Sequence, residues 1–177
     1  MKPFIQITRH LYEEPHHLNL VIIASNGRAM GSLEFCLNAS DLKDIGNALL
    51  KFNYKQNSNY VYELGSENPK AKFAHYFRLR AFPTGKNFRS YVIHLRLNNN
   101  ENIRDNGRSY CHQLSDFCIE TDIDNLREFG QLLLDFSTLK YQRLYWTQED
   151  SKLDNKMSNL SGWNTDILEN AFDALPK

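Results

Sequence analysis

The sequence predicts an α+β fold: a mainly antiparallel, twisted sheet with two equivalent helices on one side. Three observations predict it. Alternating strand-like runs outnumber helical stripes, and the two longest stripes stand at matching places behind strand–turn–strand segments. No strand runs straight into a glycine-rich turn and helix, as a doubly wound sheet would require.

Residues 4–8 alternate briefly. Residues 18–25 and 29–37 flank Asn26-Gly27, which predicts a tight type I′ hairpin, because both central residues of that turn need positive φ. A helix is expected over 40–52, with Leu42, Ile45, Leu49 and Phe52 on one stripe. Asn38 with Asp41, or Ser40 alone, supplies its cap. Strands follow at 60–64, 72–82, 89–97 and 109–119, then a helix over 123–136 and a strand over 141–147. Residues 148–161 are polar. Ile167, Leu168, Ala171, Phe172 and Leu175 predict a short C-terminal helix, which needs a surface to lie on.

The chain is internally similar. Leu42, Gly46, Leu49, Leu50 and Phe52 recur at the same offsets as Leu126, Gly130, Leu133, Leu134 and Phe136. Upstream, Glu34-Phe35-Cys36-Leu37 parallels Asp116-Phe117-Cys118-Ile119, and Asn26-Gly27-Arg28 parallels Asn106-Gly107-Arg108. Shared order of turn, strand and helix predicts a duplicated β-hairpin–α unit. The chain then divides into one domain over 1–148, with repeats at about 18–66 and 72–148, and a polar linker with a short helix over 149–177. A glycine in mid-helix costs about 1 kcal/mol relative to alanine, so Gly46 and Gly130 predict close approach of each helix to the sheet.

At 177 residues the chain can bury a core without disulfide or metal support. Lys plus Arg and Asp plus Glu both number 21, and this zero net charge disfavours a dedicated nucleic-acid binder, which needs a basic excess. No apolar run is long enough for a bilayer, and the amino-terminal stretch lacks the apolar core of a signal peptide. Three irregularly spaced cysteines, Cys36, Cys111 and Cys118, read as buried free thiols of a reducing compartment, so the expected location is the cytoplasm.

No motif specifies an enzyme. Both common glycine-rich phosphate loops are absent from the sequence. His16-His17, Cys111-His112, Cys118, Cys36 and His94 lack paired metal-ligand spacing, so neither a metal nor a cofactor is expected. Cys111 or Cys118 with His75 or His94 could form a Cys–His pair, but nothing supplies an oxyanion hole. Cys36 and Cys118 read instead as small packing residues at the sheet–helix joint. One surface constellation stands out: alternation puts Tyr76, Arg78, Arg80, His94 and Arg96 on the outer face of two adjacent strands. Glu34, Glu63 or Asp116 on neighbouring strands would make this an ordinary ion-paired surface. Without them it is a positive binding face for an acidic partner, rich in interface residue types.

The strand–turn–strand opening over 18–37, the helix with Leu42, Gly46 and Leu49, and the run Phe77-Arg78-Leu79-Arg80-Ala81 resemble a diffuse group of small bacterial proteins. Some of these are immunity proteins of polymorphic toxin systems, the WapI-like kind. The resemblance spans about 18–136 and rests on structural motifs, so it transfers no catalytic residue. It implies a non-enzymatic cytoplasmic module that neutralises a toxin by binding it. The alternative is a small-ligand or RNA-binding protein that uses the Tyr/Arg face; an enzyme ranks third.

Overall fold

A computed structural model describes residues 1–155 except 15, 54, 56–57, 85–89, 101–103, 106–107 and 110–112. The expected C-terminal helix, Cys111, His112, the centre of the hairpin after Thr84 and the Asn106-Gly107 turn lie outside the described residues.

The chain forms β1 (Phe4–Glu13), β2 (His17–Ser25), β3 (Met30–Leu37) and α1 (Ala39–Leu50), followed by β4 (Tyr60–Gly65), β5 (His75–Thr84) and β6 (Ser90–Asn99). Two-residue strands β7 (Arg104–Asp105) and β8 (Arg108–Ser109) form a small ribbon. Then come β9 (Gln113–Thr121), α2 (Ile123–Phe136), β10 (Arg143–Trp146) and β11 (Lys152–Asp154). The α+β class is as predicted, but there are two antiparallel sheets rather than one: β11-β10-β1-β2-β3 and β4-β5-β6-β9. The reason lies in the amount of apolar strand face. Two helices cannot cover the inner faces of so many strands, so the sheets also cover each other. Phe35 of β3 stacks on Phe77 of β5, with ring centroids 4.7 Å apart. A single apolar cluster runs through both sheets and both helices.

Each helix is followed by a strand that joins the other sheet. After α1 the chain enters β4, which pairs with β5; after α2 it enters β10, which pairs with β1. The run β10-β1-β2-β3 thus has the same order of roles as β4-β5-β6-β9.

Capping follows the sequence. The Asn38 N–H donates to the Asp41 carboxylate at 2.8 Å, and Asp122 accepts the Asn125 N–H at 2.8 Å. The helices meet through their two glycines. A Cβ placed on Gly46 would lie 2.7 Å from the Gly130 carbonyl oxygen, and one on Gly130 would lie 2.7 Å from the Leu50 nitrogen. The close approach is therefore between the helices, not between each helix and the sheet. Bulky neighbours do the sheet contact: Phe129 packs on Trp146, and Phe52 meets Tyr91 edge-on.

Other expectations are corrected. The Asn26-Gly27 hairpin is a four-residue loop, and only Gly27 has positive φ, at 89°. The Asn26 side chain accepts the Arg28 and Ala29 N–H groups, which turns the chain without a left-handed asparagine. Cys36 and Cys118 are exposed, because Phe35, Leu37, Phe117 and Ile119 on either side of them point into the core. Residues 152–154, within the stretch read as polar linker, form β11.

Among the buried polar residues described, one is charged. Arg9, 7% exposed, aligns with Ile5 and Ile7 on the inner face of β1. It donates to the Leu139 and Tyr141 carbonyls and pairs with Glu14, which ties the α2–β10 connection to β1.

Candidate functional site: the outer face of the second sheet

Antiparallel register brings the predicted constellation together. Val61, Arg80, His94 and Cys118 form one cross-strand row, and Glu63, Arg78, Arg96 and Asp116 form the next. Tyr76, Asn98 and Leu114 form a third. Tyr76, Arg78, Arg80, His94 and Arg96 therefore share the face on which alternation placed them, while Phe77, Leu79, Ile93 and Leu95 fill the core beneath.

Carboxylates occupy much of this face. Arg96 donates to Glu67 through two nitrogens, at 2.9 and 3.0 Å, and also pairs with Asp116. His94 bonds Asp116 as well, and the Tyr76 hydroxyl donates to Glu63 at 2.6 Å. Asp116 and Glu63 were foreseen as partners. Glu34 lies in the other sheet, where it accepts from Asn19. Glu67 was missed: it sits in the loop after β4, and nothing in sequence spacing links it to Arg96.

The guanidiniums are unequally served. Arg96 is saturated. The Nε atoms of Arg78 and Arg80 are shielded from water and lack hydrogen-bond partners among the described residues. Arg80 otherwise reaches Asn59 at 3.4 Å and lies over the Phe82 ring, 5.1 Å from its centroid. Glu63, Glu67, Asp116 and Glu120 share the face, so its charge is mixed, and Glu63 and Asp116 are two of the neighbouring carboxylates expected for an ion-paired surface. Among the described residues of this face, the buried polar atoms without partners are Nε of Arg78 and Arg80 and Oδ1 of Asn98, near exposed Val61 and Leu114.

Proton affinities follow the pairing. Burial works against the charge on Glu67, but hydrogen bonds from Arg96 and Asn98 win and hold its carboxyl below the ordinary value. Asp116 is likewise held low by His94 and Arg96 against the effect of burial. Tyr76 is pushed up by burial and by its bond to Glu63. A depressed carboxyl stabilises the fold while it is ionised, so this contribution is complete above about pH 5 and fades as pH falls through the depressed values. Glu67→Gln should therefore flatten the acid limb of the stability–pH curve measured by urea unfolding. An unchanged limb would show that the Arg96–Glu67 pair adds nothing.

Cys118 stands directly across from His94, whose Nε2 bonds Asp116. This is not an activated thiol. No hydrogen bond joins His94 to Cys118, and burial together with Asp116 pushes the thiol pKa up. Among the described residues no group of three or more His, Cys, Asp and Glu side chains is placed to hold a metal ion. No described helix is long and apolar enough to cross a membrane.

Comparison with protein-family models, curated proteins and solved structures finds no match. The functional reading rests on the site itself.

Proposed function

We propose that the protein is a non-enzymatic, cytoplasmic protein-binding module that docks a partner on the outer face of the β4-β5-β6-β9 sheet. An immunity-type role, in which a toxin is neutralised by binding, is the specific form we favour. The observation that carries the reading is the pair Arg78 and Arg80, which form no ion pair among the described residues, on a face where Arg96 and His94 are paired with carboxylates. A carboxylate-bearing partner engages the outer nitrogens of these guanidiniums without having to strip existing ion pairs. Exposed Val61 and Leu114 and half-buried Phe82 add apolar area of the kind found at protein interfaces. Glu63, Glu67 and Asp116 repel a phosphate backbone, which weighs against RNA.

The duplication of a β-hairpin–α unit belongs to the same proposal. Its support is the matching strand order of the two sheets and the reciprocal contact of Gly46 and Gly130. If the halves share an ancestor, the Arg-rich face is the difference between them that calls for a function: the corresponding outer face carries Asn19, Val21, Ile23 and Glu34.

Arg78→Glu/Arg80→Glu tests the site. The variant should melt like the wild type, since both side chains lie on the outer face. Immobilised wild-type protein should retain a specific protein from host lysate at low salt, and the variant should lose it. Retention of RNA or a small molecule instead of a protein would replace this reading with the alternative. Undiminished retention by a folded variant would move the site elsewhere.

A further inference from the structure

We propose that β4 is a dimer edge, pairing antiparallel with β4 of a second copy of this chain. The inference goes beyond the docking face and does not depend on it. Its starting point is an asymmetry between the halves. β10 and β4 play the same role: each follows a helix and flanks the first strand of the opposite sheet. On its far side β10 carries β11, where Leu153 stands opposite Leu144 and packs on the core, and Asp154 pairs with Arg143. The far side of β4 carries no strand among the described residues. Beside it lies an open depression of about 550 Å³, lined by Ala48 of α1, by Lys51 just after that helix, and by Tyr60 and Val61.

Glu63 is the one charged residue in β4. Tyr-Val-Tyr-Glu-Leu-Gly contains neither lysine nor proline, and its pairing with β5 runs without a bulge. Val61 is 42% exposed. Edges of this kind recruit strands.

The strand also complements itself. With Tyr62 of one copy across from Tyr62 of the other, Leu64 of the second copy faces Tyr60 at the depression, as Leu153 faces Leu144 in the other half. In the same register Glu63 of the second copy falls opposite Val61, in line with Arg80, whose Nε lacks a partner. A register placing Glu63 against Glu63 is repelled. A foreign strand would have to bring an apolar residue and a carboxylate at this spacing; β4 already has both. The two outer sheet faces then form one continuous surface across the two-fold axis.

Sedimentation equilibrium of the purified chain over a range of concentrations tests the proposal, with melting curves confirming that the variants fold. The wild type should show a reversible monomer–dimer equilibrium. Val61→Glu sets a carboxylate against Glu63 of the second copy and should shift the chain to monomer by tenfold or more in dissociation constant. Val61→Lys sets an opposite charge there and should keep or tighten the dimer. A wild type that stays monomeric overturns the proposal, whether or not its edge takes a foreign strand. So does a dimer indifferent to Val61→Glu, or one broken equally by Val61→Lys.

Discussion

Alanine at Gly46 should destabilise the protein by about 1–3 kcal/mol, although alanine is the better helix former by about 1 kcal/mol. The atoms its methyl group would meet are the backbone oxygen of Gly130 and the backbone nitrogen of Leu134, at 2.7 and 2.9 Å. Backbone within a helix cannot rotate aside as a side chain can, so the helices must separate and open gaps along Leu42, Leu49, Leu126 and Leu133. Gly130→Ala should behave alike, because its methyl group meets Leu50 and Gly46 in the same manner. The double variant should cost less than the sum of the two singles, since the first substitution makes room for the second. Urea unfolding of the three variants checks this. Strict additivity, or a Gly46→Ala protein as stable as wild type, would mean that the helices do not touch through these glycines.

Arg9→Ala should cost about 2–4 kcal/mol, the range for breaking a largely buried, charge-assisted network. The loss leaves the Leu139 and Tyr141 carbonyls and the Glu14 carboxylate without their donor. Lysine should rescue little, because a single ammonium cannot replace a planar fork reaching three acceptors. The damage should be local at first. Hydrogen exchange should quicken in β10 and in the turn where Leu139 holds φ of 63°. Unaltered protection there would assign Arg9 a role other than tying down the connection.

Much of the architecture is legible wherever one residue's chemistry decides locally. Asp122 and Asn38 announce the helix starts, and the alternation through Phe77, Leu79, Ile93 and Leu95 separates core from surface without further knowledge. The five candidate site residues land on one face for that reason. What sequence does not reveal is pairing over distance. Glu67 reaches Arg96 from a loop, and Gly46 finds Gly130 rather than the sheet, because helical periodicity states which face is buried but not against what. Cys36 and Cys118 defied expectation for a related reason: small apolar character suggested the core, but strand parity, with Phe35, Leu37, Phe117 and Ile119 inward, decided otherwise. β11 escaped notice because three residues give no period to detect.

The exchange of strands between the sheets bears on how the chain is made. β1 sits between β2 and β10, so it lacks one neighbour until residues 143–146 have been synthesised. β2 and β3 can fold back on it early, and β4 can join β5 as soon as β5 appears. The outer flank of β1 nevertheless remains bare through most of translation, offering an unpaired row of amides to any nascent chain nearby. Closure then depends on contacts between residues 5–8 and 143–146, and pairing over such separations slows folding. Each half lends a strand to the sheet of the other, and a chain interrupted before Arg143 would lack the strand that closes the flank of β1.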